Sequence, residues 1–581
     1  MKSTPTSPVQ GRLDADPARR CDTMVEAILH ALDESGTELA QGSPRRVWLY
    51  GDDGSRTSYS HRELAEEGLR WANWYRSRGA CKGAVVFIGL PMGIEYVGAL
   101  VGCILLGIYP CTVPFGTDAE ASAGALNNTL CAYRRILPCL FVTTREAVQQ
   151  LRGSPVIPES VPVSVTAAER RDPLGRQYLP RVLPTDVHHL QLTSGSTAAP
   201  KAAMLTHEAV VTNLDAVSDA MRGSVFTEAG CCWLPMYHDM GLMQLLLAIY
   251  HGGELVLQSS SSFLRNPMRW LERISEHRVT LAAAPAFAFT YCVRRYRRDI
   301  AEKLDLSSWR CAGVGAERVE HRVLREFHAQ YERHGFNAGA FHNCYGMAEA
   351  GFAVTMPVRP YSLTDVQPVP GVGVTIAGME LQVRDSGGLE LPENEHGEIF
   401  MRGSSLMRGY FGDEEATANA FEGEWFRTGD LGYCSNGELH IMGRVKELVI
   451  LGGRNYYPHE FEECVAADPD VGMHRSVALG VYRESTGTEA LVLVVEPRIR
   501  RDLPLLRQRL QARLRSQFGF GATELIFVQS GGIPRTTSHK VRRQECRDLY
   551  RSDGWQRMVD QDRISLADQD EHEARAGIVA E

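Results

Sequence analysis

The sequence contains very little lysine. Lysine and arginine together number 62, but the only lysines are Lys2, Lys82, Lys201, Lys303, Lys446 and Lys540. The basic charge is therefore almost entirely arginine, and the formal net charge is -9. This acidic balance argues against a nucleic-acid partner, whose binding surface normally carries a basic stripe. Each of the few lysines is therefore informative, and three of them fall inside motifs described below.

Long apolar segments and closely paired cysteines are also missing. The longest apolar run, Val97 to Tyr109, is shorter than the roughly 20 residues of a membrane span, so it predicts a buried helix and no membrane span. The fourteen cysteines contain no C-x-x-C pair, which favours a reducing, cytoplasmic location without structural zinc. Residues 1–20 are polar and lack the apolar region of a signal peptide, so we expect a flexible tail.

The length of the chain predicts more than one folding unit, because 581 residues exceed what a single core usually supports. Between about residues 45 and 300, strand-like runs such as Ala84 to Leu90 alternate with helical patterns such as Tyr59 to Arg78. Strands that alternate with helices indicate parallel sheets covered by helices, which is the α/β class. We therefore expect a large N-terminal domain over residues 21–443.

The pattern of the sequence changes after about residue 368, where the segments become short. Turn signals such as Asn436-Gly437 separate short segments and indicate a β-rich subdomain over about residues 368–440. A small α+β unit follows, with a helical pattern from Leu503 to Phe518. We expect this C-terminal domain to cover residues 444–555 and a polar tail to cover residues 556–581.

A loop with the sequence T-S-G-S-T follows the apolar residues Leu190 and Leu192, which predict a strand. Its hydroxyls, its flexible glycine and its exposed N–H groups suit an anionic polyphosphate, to which a lysine adds positive charge. The candidate phosphate-binding residues are Thr193, Ser194, Gly195, Ser196, Thr197 and Lys201. The loop lacks the P-loop pattern G-x-x-x-x-G-K-[ST], and an ordinary surface loop is the alternative interpretation.

This loop resembles the signature T-S-G-S-T-G-x-P-K-G of the adenylate-forming superfamily, which includes acyl-CoA synthetases, nonribosomal peptide adenylation domains and acyl-AMP ligases. The resemblance implies the ANL adenylating-enzyme fold, with a mobile C-terminal domain and with ATP and Mg²⁺ as cofactors. It also implies that a carboxylic acid is converted to acyl-AMP with release of pyrophosphate. Ala198 and Ala202 stand where the family has glycine, and a methyl group there would restrict the backbone and slow turnover.

Two further segments resemble the nucleotide site of this superfamily. N-C-Y-G-M-A-E at residues 343–349 is similar to its second signature, in which an aromatic ring packs on adenine and the glutamate helps to hold Mg²⁺. G-V-G-A-E at residues 313–317 is similar to the adenine-lining segment of fatty acyl-AMP ligases. By this resemblance the nucleotide contacts are Gly315, Ala316, Glu317, Asn343, Tyr345, Gly346 and Met347, and the metal ligand is Glu349.

The segment from Trp233 to Leu242 has the pattern W-L-P-x-x-H-D-M-G-L. It resembles the fatty acyl-AMP ligase branch more than typical CoA ligases, and the resemblance places His238 beside the acyl carboxylate as a catalytic residue. Taken alone, this histidine would more often lie beside a core. The aromatic residues Phe287, Phe289 and Tyr291 fit core packing and an acyl pocket equally well, so none is a candidate site residue.

The remaining motifs lie around the expected hinge and near the C-terminus. T-G-D resembles the segment whose aspartate, here Asp430, accepts hydrogen bonds from the ribose hydroxyls. G-R-V-K-E resembles the hinge, with Arg444 near the ribose and Lys446 at the pivot. The same resemblance brings Arg454 to the α-phosphate and makes Lys540, in P-R-T-T-S-H-K, the adenylation lysine. Taken singly, each of these charges would more often be a solvated surface group.

The sequence does not decide which thiol accepts the acyl group. The insertion that fatty acyl-AMP ligases carry after Y-G-x-x-E is short or absent here, so either CoA or the phosphopantetheine of a free acyl carrier protein fits. An enzyme that is efficient only in the thiol-transfer half-reaction is a further alternative. His539 replaces a family glycine, and with the two alanines it motivates another alternative, a catalytically weak protein that binds an acyl group or nucleotide.

Overall fold

The computed structural model describes residues 21–33, 45–114, 123–152, 156–157, 163–165, 172–193, 200–221, 229–316, 319, 321–362, 364, 369–451, 454–483, 488–498, 502–535, 541–552 and 554–557. The α-helices of this part are α1 (Met24–Asp33), α2 (His61–Ser77), α3 (Ile94–Leu105), α4 (Ala123–Ile136), α5 (Arg145–Arg152), α6 (His207–Ala220), α7 (Asp239–His251), α8 (Ser260–Arg265), α9 (Met268–Glu276), α10 (Ala286–Arg294), α11 (Arg298–Ala301), α12 (His321–Tyr331), α13 (Glu414–Ala420), α14 (Pro458–Ala466), α15 (Leu503–Phe518) and α16 (Arg543–Arg551).

The strands of the same part are β1 (Arg46–Tyr50), β2 (Arg56–Ser60), β3 (Val85–Gly89), β4 (Tyr109–Thr112), β5 (Leu140–Thr143), β6 (Val163–Val165), β7 (Val187–Leu192), β8 (Ala202–Thr206), β9 (Ala229–Cys232), β10 (Glu254–Gln258), β11 (Leu281–Pro285), β12 (Cys311–Gly315), β13 (Phe341–Asn343), β14 (Thr355–Met356), β15 (Val374–Thr375), β16 (Met379–Arg384), β17 (Gly397–Gly403), β18 (Phe421–Glu422), β19 (Trp425–Ser435), β20 (Glu438–Arg444), β21 (Val449–Leu451), β22 (Arg454–Tyr456), β23 (Ser476–Arg483), β24 (Thr488–Val495) and β25 (Glu524–Phe527).

The largest sheet has seven strands in the order β13-β12-β11-β9-β10-β1-β2. Its neighbouring strands are parallel except for the antiparallel pair β1 and β2. Parallel neighbours need crossover connections, which α7, α9, α10 and α12 provide between β9 and β13. The carboxyl ends of β9, β11, β12 and β13 consequently lie at one edge, where α/β sheets usually bind their ligands.

A second parallel sheet has the order β4-β3-β5-β6. Val86 and Ile88 of β3 belong to the large core that includes α2, α3 and the seven-stranded sheet, whereas Val85 and Phe87 pack in another cluster with α4. Successive side chains of a strand point to opposite faces, so both faces of β3 are covered. This double burial explains why the run from Ala84 to Leu90 is continuously apolar, and the predicted strand is confirmed.

Helix α3 is the buried helix that the longest apolar run predicts, because its residues from Tyr96 to Leu105 are all buried. It crosses α2 at glycines. A Cβ on Gly102 would lie 2.6 Å from Cβ of Trp71, and a Cβ on Gly68 would lie 2.2 Å from Cγ1 of Val101. The close approach of the two helices therefore requires residues without a side chain.

An antiparallel sheet, β16-β17-β19-β18 with β20 also paired to β19, forms the predicted β-rich part. The connection between β19 and β20 consists of Asn436 and Gly437, whose φ angles are 52° and 79°. Two successive positive φ values indicate the type I′ turn that Asn-Gly favours in hairpins. This hairpin brings Asp430 opposite Arg444.

The C-terminal unit is a sheet of β23, β24 and β25 with helices on both faces. Side chains of β24 alternate between a cluster with α14 and α15 and a cluster with α16. Helix α15 spans the predicted Leu503 to Phe518. Among the described residues, the large N-terminal core ends at Leu439 and the C-terminal clusters begin at Val449. The expected boundary between residues 443 and 444 lies in that interval and remains a prediction.

These elements agree with the expected α/β class and with a β-rich subdomain followed by a small α+β unit. In the part of the chain that the structure describes, no helix combines the length and the apolarity that a membrane crossing would need.

Replacement of Gly102 by alanine should destabilise the helix crossing. Its new Cβ would push α3 away from α2, and such overpacking typically costs about 1–3 kcal/mol. Thermal unfolding followed by tryptophan fluorescence should show a lower midpoint than the wild-type protein. Gly93→Ala, in the extended residue before α3, is the control because the nearest atom to its Cβ is 4.0 Å away. Equal midpoints for both variants would contradict a tight crossing.

Candidate active site

A cavity of about 770 Å³ lies at the carboxyl edge of the seven-stranded sheet. Each of four parallel strands delivers a segment to its wall. Trp233 and His238 follow β9, Phe287 follows β11, Ala316 follows β12, and Tyr345 follows β13. The sheet topology thus brings together motifs that are more than a hundred residues apart in the sequence.

Most of the predicted site residues that the structure describes meet at this cavity. Those that line it are Thr193, His238, Ala316, Tyr345, Gly346, Met347, Glu349, Asp430 and Arg444. Those that are described but are not part of its lining are Lys201, Gly315, Asn343, Lys446 and Arg454. Those that lie outside the described residues are Ser194, Gly195, Ser196, Thr197, Glu317 and Lys540, together with Ala198 and His539.

The carboxylate of Asp430 in β19 is held by a residue that follows β13 and by a residue of the neighbouring strand β20. The hydroxyl of Tyr345 donates to its Oδ2 at 2.7 Å, and Nε of Arg444 lies 2.9 Å from its Oδ1. Burial and the neighbouring carboxylate raise the pKa of Tyr345, so the phenol stays protonated. The pKa of Arg444 is raised chiefly by Asp430. The β19–β20 hairpin is thereby fixed against the edge of the large sheet.

Two motif glycines permit close contacts between backbone segments. A Cβ on Gly346 would lie 1.7 Å from the carbonyl oxygen of Phe352, and a Cβ on Gly241 would lie 2.3 Å from that of Pro235. No side chain fits at either position without movement of the backbone. The glycines of Y-G-x-x-E and of H-D-M-G-L are therefore required by packing, whatever the cavity binds.

The start of helix α7 carries His238 to the cavity. This histidine is the residue before the helix, and its carbonyl accepts hydrogen bonds from the N–H groups of Gly241 and Leu242. The buried Gln191 holds the preceding residue, Tyr237, because its Nε2 donates a hydrogen bond of 2.8 Å to the carbonyl of Tyr237. Sequence reasoning missed this glutamine because it lies inside a strand without a motif of its own.

The loop with the sequence T-S-G-S-T connects the antiparallel pair β7 and β8. The N–H of Thr193 donates to the carbonyl of Lys201 at 2.8 Å, and Leu192 pairs with Ala202. Ala202 is a buried strand residue whose φ is not positive. The expectation that a methyl group at this position restricts the backbone is therefore wrong, because a strand conformation suits alanine as well as glycine.

Glu349 points its carboxyl group at Tyr410. The phenol donates to Oε1 of Glu349 at 2.9 Å, and the ring centroid lies 4.6 Å from Nζ of Lys201. Burial raises the pKa of the Glu349 carboxyl, and the nearby Asp239 raises it further. Sequence reasoning also missed Tyr410, since G-Y-F after β17 has no recognisable chemistry and only a weak turn signal.

One end of the cavity is apolar. Trp233, Leu264 and Phe287 line it, and the rings of Trp233 and Phe287 meet edge to face at 6.0 Å. Of the three aromatic residues that sequence left undecided, only Phe287 lines the cavity. Phe289 is fully buried in the core, and the hydroxyl of Tyr291 donates to the carbonyl of Leu264.

The C-terminal unit forms the opposite wall of the cavity. Arg535 and Val541 both line it and are joined by an antiparallel bridge. Between them lies the segment that contains Lys540, and Val541 is the next residue after that lysine. Arg543, also at the wall, is held between the carboxylates of Glu462 and Glu447. Both ends of the lysine segment are therefore anchored at the cavity.

Comparison with known proteins agrees with this architecture. A family model described as AMP-binding enzyme matches residues 37–411. The long-chain-fatty-acid AMP ligase FadD28 of Mycobacterium tuberculosis is 30% identical over 554 residues, which cover 84% of this chain and 93% of that protein. The medium-chain-fatty-acid acyl-carrier-protein ligase JamA of Moorena producens is 28% identical over 562 residues, 87% of this chain and 92% of its own.

Solved structures extend the comparison to three dimensions. One from a study of fatty acyl-adenylate ligases from E. coli and L. pneumophila has a TM-score of 0.77 and 26% identity, and it covers 91% of this chain and 98% of its own. The predicted superfamily and fold are confirmed, and ATP is the nucleotide that such enzymes use. The chain belongs to the AMP-binding enzyme family, as an adenylate-forming ligase that fits the fatty acyl-AMP ligase branch.

Proposed function

We propose that the protein uses ATP to convert a fatty or related lipophilic carboxylic acid to acyl-AMP. The acyl group is then transferred to the phosphopantetheine thiol of a free acyl carrier protein, and AMP is released. One observation carries the proposal: a single cavity joins the polar residues Asp430 and Glu349 to an apolar end at Trp233 and Phe287. The names of FadD28 and JamA support a fatty acid as the substrate.

The nucleoside is assigned to the wall around Tyr345. Asp430 accepts hydrogen bonds from the ribose hydroxyls, with Arg444 beside it, because a carboxylate can accept several donors. Asn343, the last residue of β13, is assigned to the adenine by its place in the motif; it does not line the cavity, and its buried Oδ1 has no hydrogen-bond partner among the described residues. The remaining adenine contacts come from Gly315, Ala316, Glu317, Gly346 and Met347.

The phosphates are assigned to the loop of residues 193–197 and to Lys201, with Arg454 reaching the α-phosphate. Mg²⁺ is assigned to Glu349, whose half-buried carboxylate is an oxygen ligand of the kind this ion prefers. Among the described residues, no group of three or more His, Cys, Asp or Glu side chains could hold a metal, so Glu349 is the only protein ligand proposed for the ion. When bound, Mg²⁺ offsets the charge of the phosphates during displacement of pyrophosphate.

The chemical step is attack of the substrate carboxylate on the α-phosphate. Lys540 stabilises the negative charge that builds up between these groups, and His238 borders the carboxylate. The domain of residues 444–555 then rotates about Lys446 so that a thiol can approach the acyl-AMP. The backbone carbonyl of Lys446 accepts a hydrogen bond from Arg547 at 3.3 Å, a contact that joins the hinge to the unit that moves.

Removal of the Lys540 amine should reduce acyl-AMP formation. Lys540→Ala should lower pyrophosphate release by about 10²–10³-fold, the usual effect of losing one group that stabilises transition-state charge. The assay uses a panel of carboxylic acids of increasing chain length with ATP and Mg²⁺. Lys303→Ala changes an exposed lysine that does not line the cavity and should leave the rate unchanged. An equal rate in both variants would remove Lys540 from the mechanism.

Neutralisation of Asp430 should weaken ATP binding. Asp430→Asn keeps the shape of the side chain but loses a hydrogen bond to a charged group, so the KM for ATP should rise by about tenfold to a hundredfold. Glu398→Gln is the matched control, because this residue pairs with Arg427 on the same sheet and does not line the cavity. A normal KM in Asp430→Asn would exclude the ribose contact.

The acceptor can be identified with preformed acyl-AMP. A carrier-protein ligase should form thioester with the phosphopantetheine form of a carrier protein at least about tenfold faster than with CoA, a preference worth about 1.4 kcal/mol. Faster reaction with CoA would instead establish an acyl-CoA ligase, which the short connection of residues 350–378 also fits. Thioester formation without pyrophosphate release would indicate that only the second half-reaction is efficient. No product in either assay would contradict both proposals.

A further inference from the structure

Tyr410 lies between the two charged groups that the proposed function assigns to the phosphates and to the metal. Its ring centroid is 4.6 Å from Nζ of Lys201, and its hydroxyl donates to Oε1 of Glu349 at 2.9 Å. The side chain is only 7% exposed, so its position is fixed by packing. One aromatic residue therefore contacts a cation with its face and a carboxylate with its hydroxyl.

The backbone around Tyr410 is attached to the segments that carry both groups. The N–H of Met407 donates to the carbonyl of Glu349 at 2.7 Å, and the carbonyl of Gly409 accepts from the N–H of Met204 in β8 at 2.9 Å. β8 begins at the residue after Lys201. This arrangement gives the tyrosine a defined distance from the lysine on one side and from the glutamate on the other.

The ring separates two charges that would otherwise attract each other. Among the ion pairs of the described residues, none joins Lys201 to Glu349. At the edge of a partly buried site a direct ion pair would be favourable, but it would occupy both groups. An aromatic face offers the ammonium an attractive partner without a formal charge. A single hydroxyl donor leaves the second carboxylate oxygen available for another ligand.

We propose that Tyr410 is a positioning residue that prevents Lys201 and Glu349 from pairing with each other. Both groups then remain available until the nucleotide arrives with its cation, when the ammonium moves from the ring to the phosphates. The inference rests on the proposed function, because that function assigns phosphate binding to Lys201 and Mg²⁺ to Glu349.

Two substitutions separate the contributions of the ring and the hydroxyl. Tyr410→Phe keeps the ring and should raise the Kd of a non-hydrolysable ATP analogue with Mg²⁺ about tenfold, the value of one hydrogen bond to a charged group. Tyr410→Leu loses both contacts and lets Lys201 reach Glu349, so the Kd should rise about a hundredfold. Calorimetry measures both constants, and in turnover the effect should appear in the KM for ATP rather than in kcat.

A double substitution tests the separation of charges directly. Without Mg²⁺, in the presence of a chelator, Tyr410→Leu should bind the ATP analogue more weakly than the wild-type protein because Glu349 captures the lysine. Adding Glu349→Gln to Tyr410→Leu should restore at least half of the lost binding free energy, because the competing carboxylate is gone. A purely structural role of the tyrosine predicts no such recovery.

The control is Tyr250→Phe. Tyr250 does not line the cavity, and the substitution removes a hydroxyl that donates to Asp215. It should bind the analogue normally. If the wild-type protein neither binds the analogue nor releases pyrophosphate, the proposed function itself fails. If the wild-type protein binds the analogue and both Tyr410→Phe and Tyr410→Leu bind it as tightly as the wild-type protein does, the role of Tyr410 is overturned and the proposed function stands. The same conclusion follows if the double variant shows no recovery of binding.

Discussion

The contact between Tyr345 and Asp430 is the interaction on which the site depends. It joins the carboxyl edge of the seven-stranded sheet to the β19–β20 hairpin, which belongs to a separate antiparallel sheet. Asp430 is 5% exposed and also holds Arg444, the last residue of β20. The chain passes from there through the proposed hinge at Lys446. One buried carboxylate thus positions the proposed nucleoside wall and the start of the connection to the C-terminal unit.

Backbone packing explains motif residues that carry no chemistry. At Gly346 and Gly241 a side chain would collide with a carbonyl oxygen of a neighbouring segment, so these glycines allow the loops after β13 and β9 to approach their neighbours. Ala316 has a φ of 63°, a left-handed conformation that costs free energy in a residue other than glycine. It lies directly after β12 at the cavity wall, where the surrounding strands hold it.

The elements that could be predicted best from the sequence are those that depend on the pattern of neighbouring residues. The helix from Leu503 to Phe518, the strand within Ala84–Leu90 and the turn at Asn436-Gly437 follow from periodicity, from a short apolar run and from turn preference. The meeting of distant motifs at one cavity followed from family resemblance and not from spacing. Gln191 and Tyr410 escaped prediction because each contacts a group that is far away in the sequence: Gln191 donates to the carbonyl of Tyr237, and Tyr410 donates to Glu349.

The scarcity of lysine now has a physical interpretation. Fixed charge pairs near the cavity use arginine, as in Arg444 with Asp430 and Arg543 with Glu462, where a planar guanidinium can make several directed hydrogen bonds at once. Lysine ends in a compact charge on a flexible stem, and three of the six lie at the phosphate loop, the hinge and the C-terminal motif. The proposed roles of Lys201 and Lys540 require a charge that changes partner during the reaction. In Lys201 the chain holds such a charge on an aromatic ring, a weaker partner than a carboxylate and therefore one that phosphates can displace.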